Sequence, residues 1–179
     1  MVPGEAPRRV LLVGFMASGK TSVGRELAGL LGWKFHDFDA VIEERAGVTV
    51  SEIFHRDGEA HFRKLESDVG RALLREEHVV LATGGGWPAQ PGSWGAVPEG
   101  TLSVWLRVSP GVAVRRTSSE GPIRPLLVGG DLERRAAELM ARREASYRQA
   151  RVVLDSDEDD VPTLAMRIMT IIRGEAQDR

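Results

Sequence analysis

Residues Gly14 to Thr21 carry the residue types that a phosphate-binding loop needs, in the pattern G-x-x-x-x-G-K-T. Consecutive backbone N–H groups in such a loop can surround a phosphate, and the lysine can reach the β- and γ-phosphates of a nucleotide. The threonine hydroxyl can ligate Mg²⁺. The pattern therefore predicts a nucleotide site comprising Gly14, Ala17, Ser18, Gly19, Lys20, Thr21 and Ser22, with Thr21 as a metal ligand. We expect Lys20 to be solvated apart from its phosphate partner, so that its removal leaves the fold intact.

The sequence on either side of this loop predicts the two elements that must position it. The apolar run 10–13 is typical of a buried strand, and Gly14 can take backbone angles that are closed to other residues. Apolar residues then recur at helical spacing, at Val23, Leu27, Leu30 and Leu31. A helix from about Lys20 to Gly32 would direct the positive end of its dipole at a phosphate in the loop.

The composition predicts a single α/β domain. With 179 residues and 42% hydrophobic content, the chain can form one well-buried core. The absence of cysteine excludes disulfides and thiolate metal sites, so a metal would need oxygen or histidine ligands. No apolar run approaches the length of a membrane span, and residues 1–7 lack the apolar segment of a secretory signal. We therefore expect a cytoplasmic protein that does not bind membranes.

Charge is distributed unevenly along the chain. Residues 107–151 contain ten arginines against five acidic residues, whereas residues 155–160 contain five acidic residues. The arginine-rich block predicts an anionic ligand.

Four further segments predict strands, and the segments between them predict helices. The strands are expected at 33–38, 78–82, 101–108 and 152–154, and the helices at 40–46, from 52 after an N-cap at Ser51 with an interruption at Gly58, and at 110–117, 132–149 and 163–172. Strands that alternate with helices predict a five-stranded parallel sheet covered on both faces. We place the domain at 9–173, between a flexible leader at 1–8 and a flexible tail at 174–179. The loop at 118–131 is long enough to act as a mobile lid.

Three further motifs could meet at one end of this sheet. Asp37 and Asp39 follow the second predicted strand, at the ligand-facing edge of a parallel sheet. Arg63 and Glu66 lie three residues apart on a predicted helix, so both can face one cleft. Gly84–Gly86 follow the third strand, where the absence of side chains lets a ligand approach the backbone closely.

In this order and spacing, the motifs resemble those of the shikimate kinases, which phosphorylate the 3-hydroxyl of shikimate with MgATP. The resemblance spans residues 9–172 and includes the segment Arg124-Pro125-Leu126-Leu127 and Arg143. It implies a single-domain, three-layer P-loop kinase fold with a lid. The implied substrate-binding residues are Asp39, Arg63, Gly84, Gly85, Gly86 and Arg143.

The resemblance also implies a role for each matched substrate residue. Arg63 and Arg143 would bind the carboxylate of shikimate, because arginine matches its fork geometry. Asp39 would hydrogen-bond the substrate hydroxyls and orient or deprotonate the attacking one. Glu66 would hold Arg63 in orientation, and Gly85 with Gly86 would present backbone N–H groups to the substrate.

For ATP and Mg²⁺, the resemblance implies a second set of residues. Lys20, Asp39 and Arg124 are the implied catalytic residues, with Arg124 moving in with the lid to neutralise charge on the transferring phosphoryl group. Arg116 would stack on adenine and also belongs to the nucleotide site. Asp37 would lie near Mg²⁺, mostly acting through water, so that Thr21 and Asp37 form the metal site.

Three positions differ from the family pattern. Ala17 stands where the family commonly has glycine, and is compatible with a loop in which this position keeps a negative φ. Trp87 is bulky and could alter the wall of the substrate pocket, although we expect Trp87, Trp94 and Trp105 to pack. The acidic run at 155–160 stands where the family often has a basic residue against adenine.

Two alternatives remain open from the sequence alone. Another small-metabolite kinase, such as a gluconate kinase, would also need the phosphate loop and the aspartates. A P-loop module could instead bind nucleotide without turnover, but it would have no need of Asp39 and Arg124. We expect no nucleic-acid partner, because no aromatic stacking platform accompanies the arginines. A monomer that acts on shikimate and ATP is the predicted form.

Overall fold

A computed structural model describes residues 6–119 and 131–174. Five strands form one parallel sheet in the order β2-β3-β1-β4-β5. The strands are Arg9–Val13 (β1), Lys34–Asp37 (β2), Val79–Ala82 (β3), Thr101–Arg107 (β4) and Val152–Asp155 (β5). The helices are Lys20–Leu31 (α1), Phe38–Ala46 (α2), Val50–Leu73 (α3), Pro110–Ser119 (α4), Leu132–Tyr147 (α5) and Val161–Ile172 (α6). This architecture confirms the predicted three-layer α/β fold.

The two faces of the sheet bury separate apolar clusters because side chains alternate along each strand. On one face, Val10 and Leu12 of β1 pack with residues of α1 and α6. On the other face, Leu11 and Val13 pack with residues of α2, α3 and α5. Strand β1 is buried along its whole length, which fixes the loop that follows it.

The third helix begins two residues earlier than predicted. Thr49, not Ser51, is its N-cap, because the Thr49 hydroxyl accepts from Glu52 N and the Glu52 carboxylate accepts from Thr49 N. This reciprocal pair satisfies two backbone donors that a cap at Ser51 would leave exposed. Gly58 interrupts the helix as predicted, with φ of 81° and ψ of 170°.

The other predicted limits differ from the observed ones by at most two residues. One such difference affects the site, because α2 begins at Phe38. Asp37 is therefore the N-cap of α2. Asp39 lies in the first turn of α2 and not at the end of a strand.

Much of the predicted lid at 118–131 lies outside the described residues. Helix α4 extends to Ser119, and Asp131 caps α5 by accepting from Arg134 N. Residues 120–130, which include Arg124, are not described, nor are residues 1–5 and 175–179 of the predicted leader and tail. In the described parts of the chain, no helix is both long and apolar enough to cross a membrane.

Candidate active site

Sheet order brings the predicted motifs together. Strands β2, β3 and β1 are neighbours, and each carries a motif at its carboxyl end. The phosphate loop follows β1, Asp37 ends β2, and Gly84–Gly86 come directly after β3 and Thr83. The carboxyl ends of parallel strands form one edge, which is where such sheets bind ligands.

The phosphate loop depends on two glycines for different reasons. Gly14 has φ of 145°, and a side chain there would collide with the carbonyl oxygen of Leu106. Gly19 has φ of 86° and is the N-cap of α1, so the loop enters the helix through a left-handed residue. Both conformations favour glycine strongly, which explains the spacing of the motif.

The condition under which alanine would fit this position easily, a negative φ, is not met. Ala17 has φ of 58°, in the left-handed region. This conformation costs a residue with a Cβ atom roughly 1–2 kcal/mol. Closure of the loop between β1 and α1 therefore outweighs the local preference of alanine, and the loop retains strain beside its binding site.

The expectation that Lys20 is solvated is wrong. Its side chain is folded into the loop and is only 9% exposed. Lys20 Nζ donates a hydrogen bond of 2.7 Å to the carbonyl oxygen of Phe15 and lies 3.4 Å from Ser18 Oγ. The ammonium group is thus held inside the loop, in the place where a bound phosphate would need a positive charge.

Thr21 and Asp37 together form an oxygen-lined site beside the phosphate loop. Thr21 Oγ1 donates a hydrogen bond of 2.5 Å to Asp37 Oδ2, while Asp37 Oδ1 accepts from Asp39 N at 3.0 Å. The described residues contain no group of three histidine or acidic side chains close enough to bind a metal by themselves. This donor set fits Mg²⁺, which keeps several waters and takes its other ligands from one or two protein oxygens and substrate phosphates.

A second cleft, with a cavity volume of about 60 Å³, opens beside the phosphate loop. Apolar side chains line part of its wall, and two guanidinium groups and two carboxylates line the rest. The lining residues are Met16, Asp39, Val50, Phe54, Phe62, Arg63, Glu66, Gly84, Gly85, Gly86 and Arg143. The structure therefore brings all six predicted substrate-binding residues into one cleft.

The glycines of this cleft make room for charged side chains. A Cβ atom on Gly84 would collide with Glu66 Oε1, and one on Gly86 would lie 2.6–2.8 Å from the guanidinium atoms of Arg63. The sequence predicted close approach of a ligand to these glycines; the structure shows close approach of Glu66 and Arg63. Tyr147 fixes the same loop, because its hydroxyl donates a 2.6 Å hydrogen bond to the carbonyl oxygen of Gly85.

Glu66 is a fully buried carboxylate at the back of the cleft. Burial raises its pKa to about 7, although Arg63 NH1, 2.7 Å from Glu66 Oε2, opposes this rise, and the nearby carboxylate of Asp39 adds to it. Glu66 Oε2 also accepts a hydrogen bond of 2.5 Å from Gln90 Nε2. Glu66 therefore contacts Arg63 as predicted.

Arg116 joins the phosphate loop to the loop after β5. Its guanidinium donates to the carbonyl oxygens of Ser156 at 2.7 Å and Asp157 at 3.3 Å, and to that of Ala17 at 3.4 Å. Arg116 is thus placed beside the nucleotide loop, with backbone contacts that the sequence did not predict.

The acidic run at 155–160 is largely occupied by structural contacts. Asp155 pairs with Arg107, Asp159 pairs with Arg167, Asp157 accepts from Ser109 N, and Asp160 caps α6. These contacts explain why five acidic residues can lie close together in this loop.

Three of the four tryptophans, Trp87, Trp94 and Trp105, pack as predicted. Trp87 is 2% exposed and meets Phe38 edge to face, with ring centroids 5.6 Å apart. Its ring lies against Gly70 of α3, and it is not among the described residues that line the cleft. Trp87 therefore supports the glycine loop from behind.

The sequence did not identify the apolar lining residues of the cleft, Met16, Val50, Phe54 and Phe62, nor three polar residues that contact its lining, Glu59, Gln90 and Tyr147. Tyr147 follows Arg143 by four residues on one helix, so helical spacing could have indicated that both face the cleft. Glu59 precedes Arg63 by four residues and carries the same signal. Gln90 lies in an irregular segment and has no such signal.

The fold and the site together define a P-loop kinase. A glycine-rich phosphate loop follows the first strand of a parallel sheet, and a charged cleft opens beside that loop. A model of the shikimate kinase family matches residues 16–173. The chain belongs to the shikimate kinase family.

Individual relatives agree with this assignment over nearly the whole chain. The shikimate kinase of Synechococcus sp. (strain CC9605) is 40% identical over 171 residues, which cover 96% of this chain and 85% of the relative. That of Moorella thermoacetica is 40% identical over 168 residues, with 94% and 96% coverage. The structure of shikimate kinase from Acinetobacter baumannii in complex with shikimate superposes with a TM-score of 0.87 at 33% identity and covers 97% of this chain and 96% of its own. A gluconokinase from Sinorhizobium meliloti shares the fold alone, at 16% identity and a TM-score of 0.56.

Proposed function

We propose that this protein transfers the γ-phosphoryl group of MgATP to the 3-hydroxyl of shikimate, giving shikimate 3-phosphate. The observation that carries the proposal is the placement of Arg63, Arg143 and Asp39 in one cleft beside the phosphate loop. Two guanidinium groups can bind the carboxylate of a small acid, and a carboxylate can accept hydrogen bonds from its hydroxyls. The relative from Acinetobacter baumannii carries shikimate in its structure, which supports this choice of substrate.

The described residues suggest how the chain promotes the reaction. Lys20 would exchange its contact with the Phe15 carbonyl for phosphate oxygens, where it stabilises negative charge that develops during transfer. Asp39 would orient the attacking hydroxyl and accept its proton. Thr21 and Asp37 would hold Mg²⁺, which screens the charge of the β- and γ-phosphates.

Arg116 and Arg124 complete the proposed site for the nucleotide. Arg116 lies beside the phosphate loop, between Ala17 and the loop after β5, which is compatible with a contact to the base of a bound nucleotide. We retain adenine stacking as its role. Arg124 lies outside the described residues, and its part in neutralising the transferring phosphoryl group remains a prediction from the resemblance.

We propose that the protein acts as a monomer in the cytoplasm, on shikimate and ATP.

An assay of ADP release with shikimate, with gluconate and with no acceptor tests the proposal. We expect rapid, saturable release with shikimate and only background release in the other two reactions. Faster ADP release with gluconate than with shikimate would identify gluconate as the substrate. Nucleotide binding without acceptor-dependent release would make the protein a non-catalytic module.

A further inference from the structure

Gln90 contacts Glu66, which lines the substrate cleft, and the backbone around Gln90 holds it firmly. It follows a 3-10 turn at Trp87–Ala89, and its own N–H donates a hydrogen bond of 3.0 Å to the carbonyl oxygen of Trp87. Because Trp87 is buried in the core, the turn has a fixed position. The Gln90 side chain therefore presents its amide donor to Glu66 from a rigid support, with Nε2 2.5 Å from Glu66 Oε2.

Arg63 is shared between two carboxylates with opposite effects on its position. Glu66, at the back of the cleft, contacts Arg63 NH1 at 2.7 Å. Glu59, which is 56% exposed, accepts from Arg63 Nε at 3.2 Å and from NH2 at 2.9 Å. The first contact draws the guanidinium inward, and the second draws it toward solvent. The position of Arg63 thus depends on how firmly Glu66 is held.

We propose that Gln90 is a positioning residue for the substrate carboxylate, acting by anchoring Glu66 so that Glu66 holds Arg63 in the cleft. The inference rests on the function proposed above, because it takes the carboxylate of shikimate as the group that Arg63 binds. An amide suits this position for a physical reason. It donates to Glu66 without bringing a second positive charge that would compete with Arg63 for Glu66 or for the substrate.

The charged and titratable groups that face Glu66 come from three helices. They are Asp39 on α2, Arg63 on α3, and Arg143 and Tyr147 on α5. Because a hydrogen bond to a carboxylate favours its ionised form, we expect the Gln90 donor to oppose the rise in the pKa of Glu66 that burial causes. Loss of the amide donor should raise that pKa further.

The variant Gln90→Met tests the proposal, since methionine has a similar length and no N–H donor. Calorimetric titration of shikimate into the free enzyme should show binding weakened about fivefold, with ATP binding unchanged. Gln149→Met, which alters an exposed glutamine on the segment after α5, should leave both affinities unchanged. An unchanged affinity for shikimate in Gln90→Met, a gain in that affinity, or an equal loss for ATP would overturn the proposal.

Gln90→Glu separates positioning from general damage to the turn. When protonated, the new carboxyl can donate to Glu66, and when ionised it repels Glu66. Its shikimate affinity relative to wild type should therefore recover as the pH falls from about 9 to about 7, while the deficit of Gln90→Met grows over the same interval. Parallel losses in both variants at every pH would indicate a merely structural role and contradict the proposal.

A readout without substrate distinguishes this proposal from the proposed function. The carboxyl carbon of Glu66, followed by NMR in the free enzyme, should titrate with a higher midpoint in Gln90→Met than in wild type. If wild type fails to bind shikimate, the proposed function fails, and the titration still decides whether Gln90 anchors Glu66. Equal midpoints would overturn the anchoring role whatever the substrate is.

Discussion

The hydroxyl of Tyr147 donates a 2.6 Å hydrogen bond to the carbonyl oxygen of Gly85, which ties the last turn of α5 to the glycine loop of the substrate cleft. Tyr147 is 2% exposed, and burial raises the pKa of its hydroxyl to about 12, so this group remains a donor throughout the neutral range. Arg143 lies one turn earlier on the same helix. This hydrogen bond therefore helps to set the distance between Arg143, which is predicted to bind the substrate carboxylate, and the glycine loop opposite.

Replacing this hydroxyl should weaken substrate binding more than nucleotide binding. Tyr147→Phe keeps the packing against Trp105 and removes one hydrogen bond. We expect the KM for shikimate to rise about fivefold and the free energy of unfolding to fall by about 1 kcal/mol. Steady-state kinetics and urea unfolding measure the two effects. A variant with an unchanged KM for shikimate would show that the position of the Gly85 loop does not control the site.

Lys20→Ala should abolish most of the turnover and also lower stability slightly. The side chain donates the shorter of the two hydrogen bonds that the Phe15 carbonyl accepts, and its removal leaves only the 3.3 Å bond from Ser18 N. We expect kcat to fall at least about 10²-fold and the free energy of unfolding to fall by about 1 kcal/mol. Lys64→Ala, at an exposed lysine of α3, is the control for loss of a positive charge. Activity within about tenfold of wild type would mean that Lys20 does not contact the transferring phosphate.

Arg63→Ala should raise the KM for shikimate much more than the KM for ATP. The guanidinium of Arg63 lines the substrate cleft, and Arg63 belongs to α3 and not to the phosphate loop. Arg71→Ala, at an exposed arginine further along the same helix, should change neither constant. If Arg63→Ala raises both KM values equally, the role of Arg63 is structural, and the carboxylate site must be reassigned.

The buried carboxylate of Glu66 predicts a specific dependence of stability on pH. Its pKa is about 7 in the folded protein and about 4.5 when unfolded, so the folded state binds the proton more tightly. This group therefore stabilises the fold most below pH 4.5, and its contribution is lost as the pH rises toward 7. Between pH 4.5 and pH 7, the contribution of Glu66 to the free energy of unfolding should fall by up to about 3 kcal/mol.

Comparison of wild type with Glu66→Gln across this interval isolates the effect. The unfolding free energy of the variant should depend less steeply on pH, because glutamine does not titrate. Asp68→Asn, at an exposed carboxylate on the same helix, should retain the wild-type slope. Equal slopes in wild type and Glu66→Gln would show that Glu66 has an ordinary pKa.

Local sequence patterns predicted the sheet and the phosphate loop because short-range physics determines them. The apolar run of β1 and the helical spacing after Lys20 set strand and helix, and the positive φ values at Gly14 and Gly19 require glycine. The five-stranded parallel sheet then brought Asp37 and the glycine loop to one edge.

Features that depend on tertiary packing were not predictable in the same way. The φ of Ala17 and the burial of Lys20 follow from loop closure, which overrides the preferences of the single residues. Gln90 meets Glu66 across 24 positions of sequence, from an irregular turn fixed by Trp87. The N-cap at Thr49, by contrast, is a local feature that the sequence could have indicated, because the spacing Thr49-x-x-Glu52 is the signature of a capping box.

Phosphorus NMR of the reaction products tests most directly whether the enzyme transfers a phosphoryl group to one hydroxyl of shikimate. With shikimate and MgATP, we predict a new phosphate-ester signal coupled to the proton on carbon 3, formed in equal amount with ADP. The signal should be absent when Lys20→Ala replaces the wild-type enzyme. Release of inorganic phosphate without an ester, or an ester on another hydroxyl, would contradict the account.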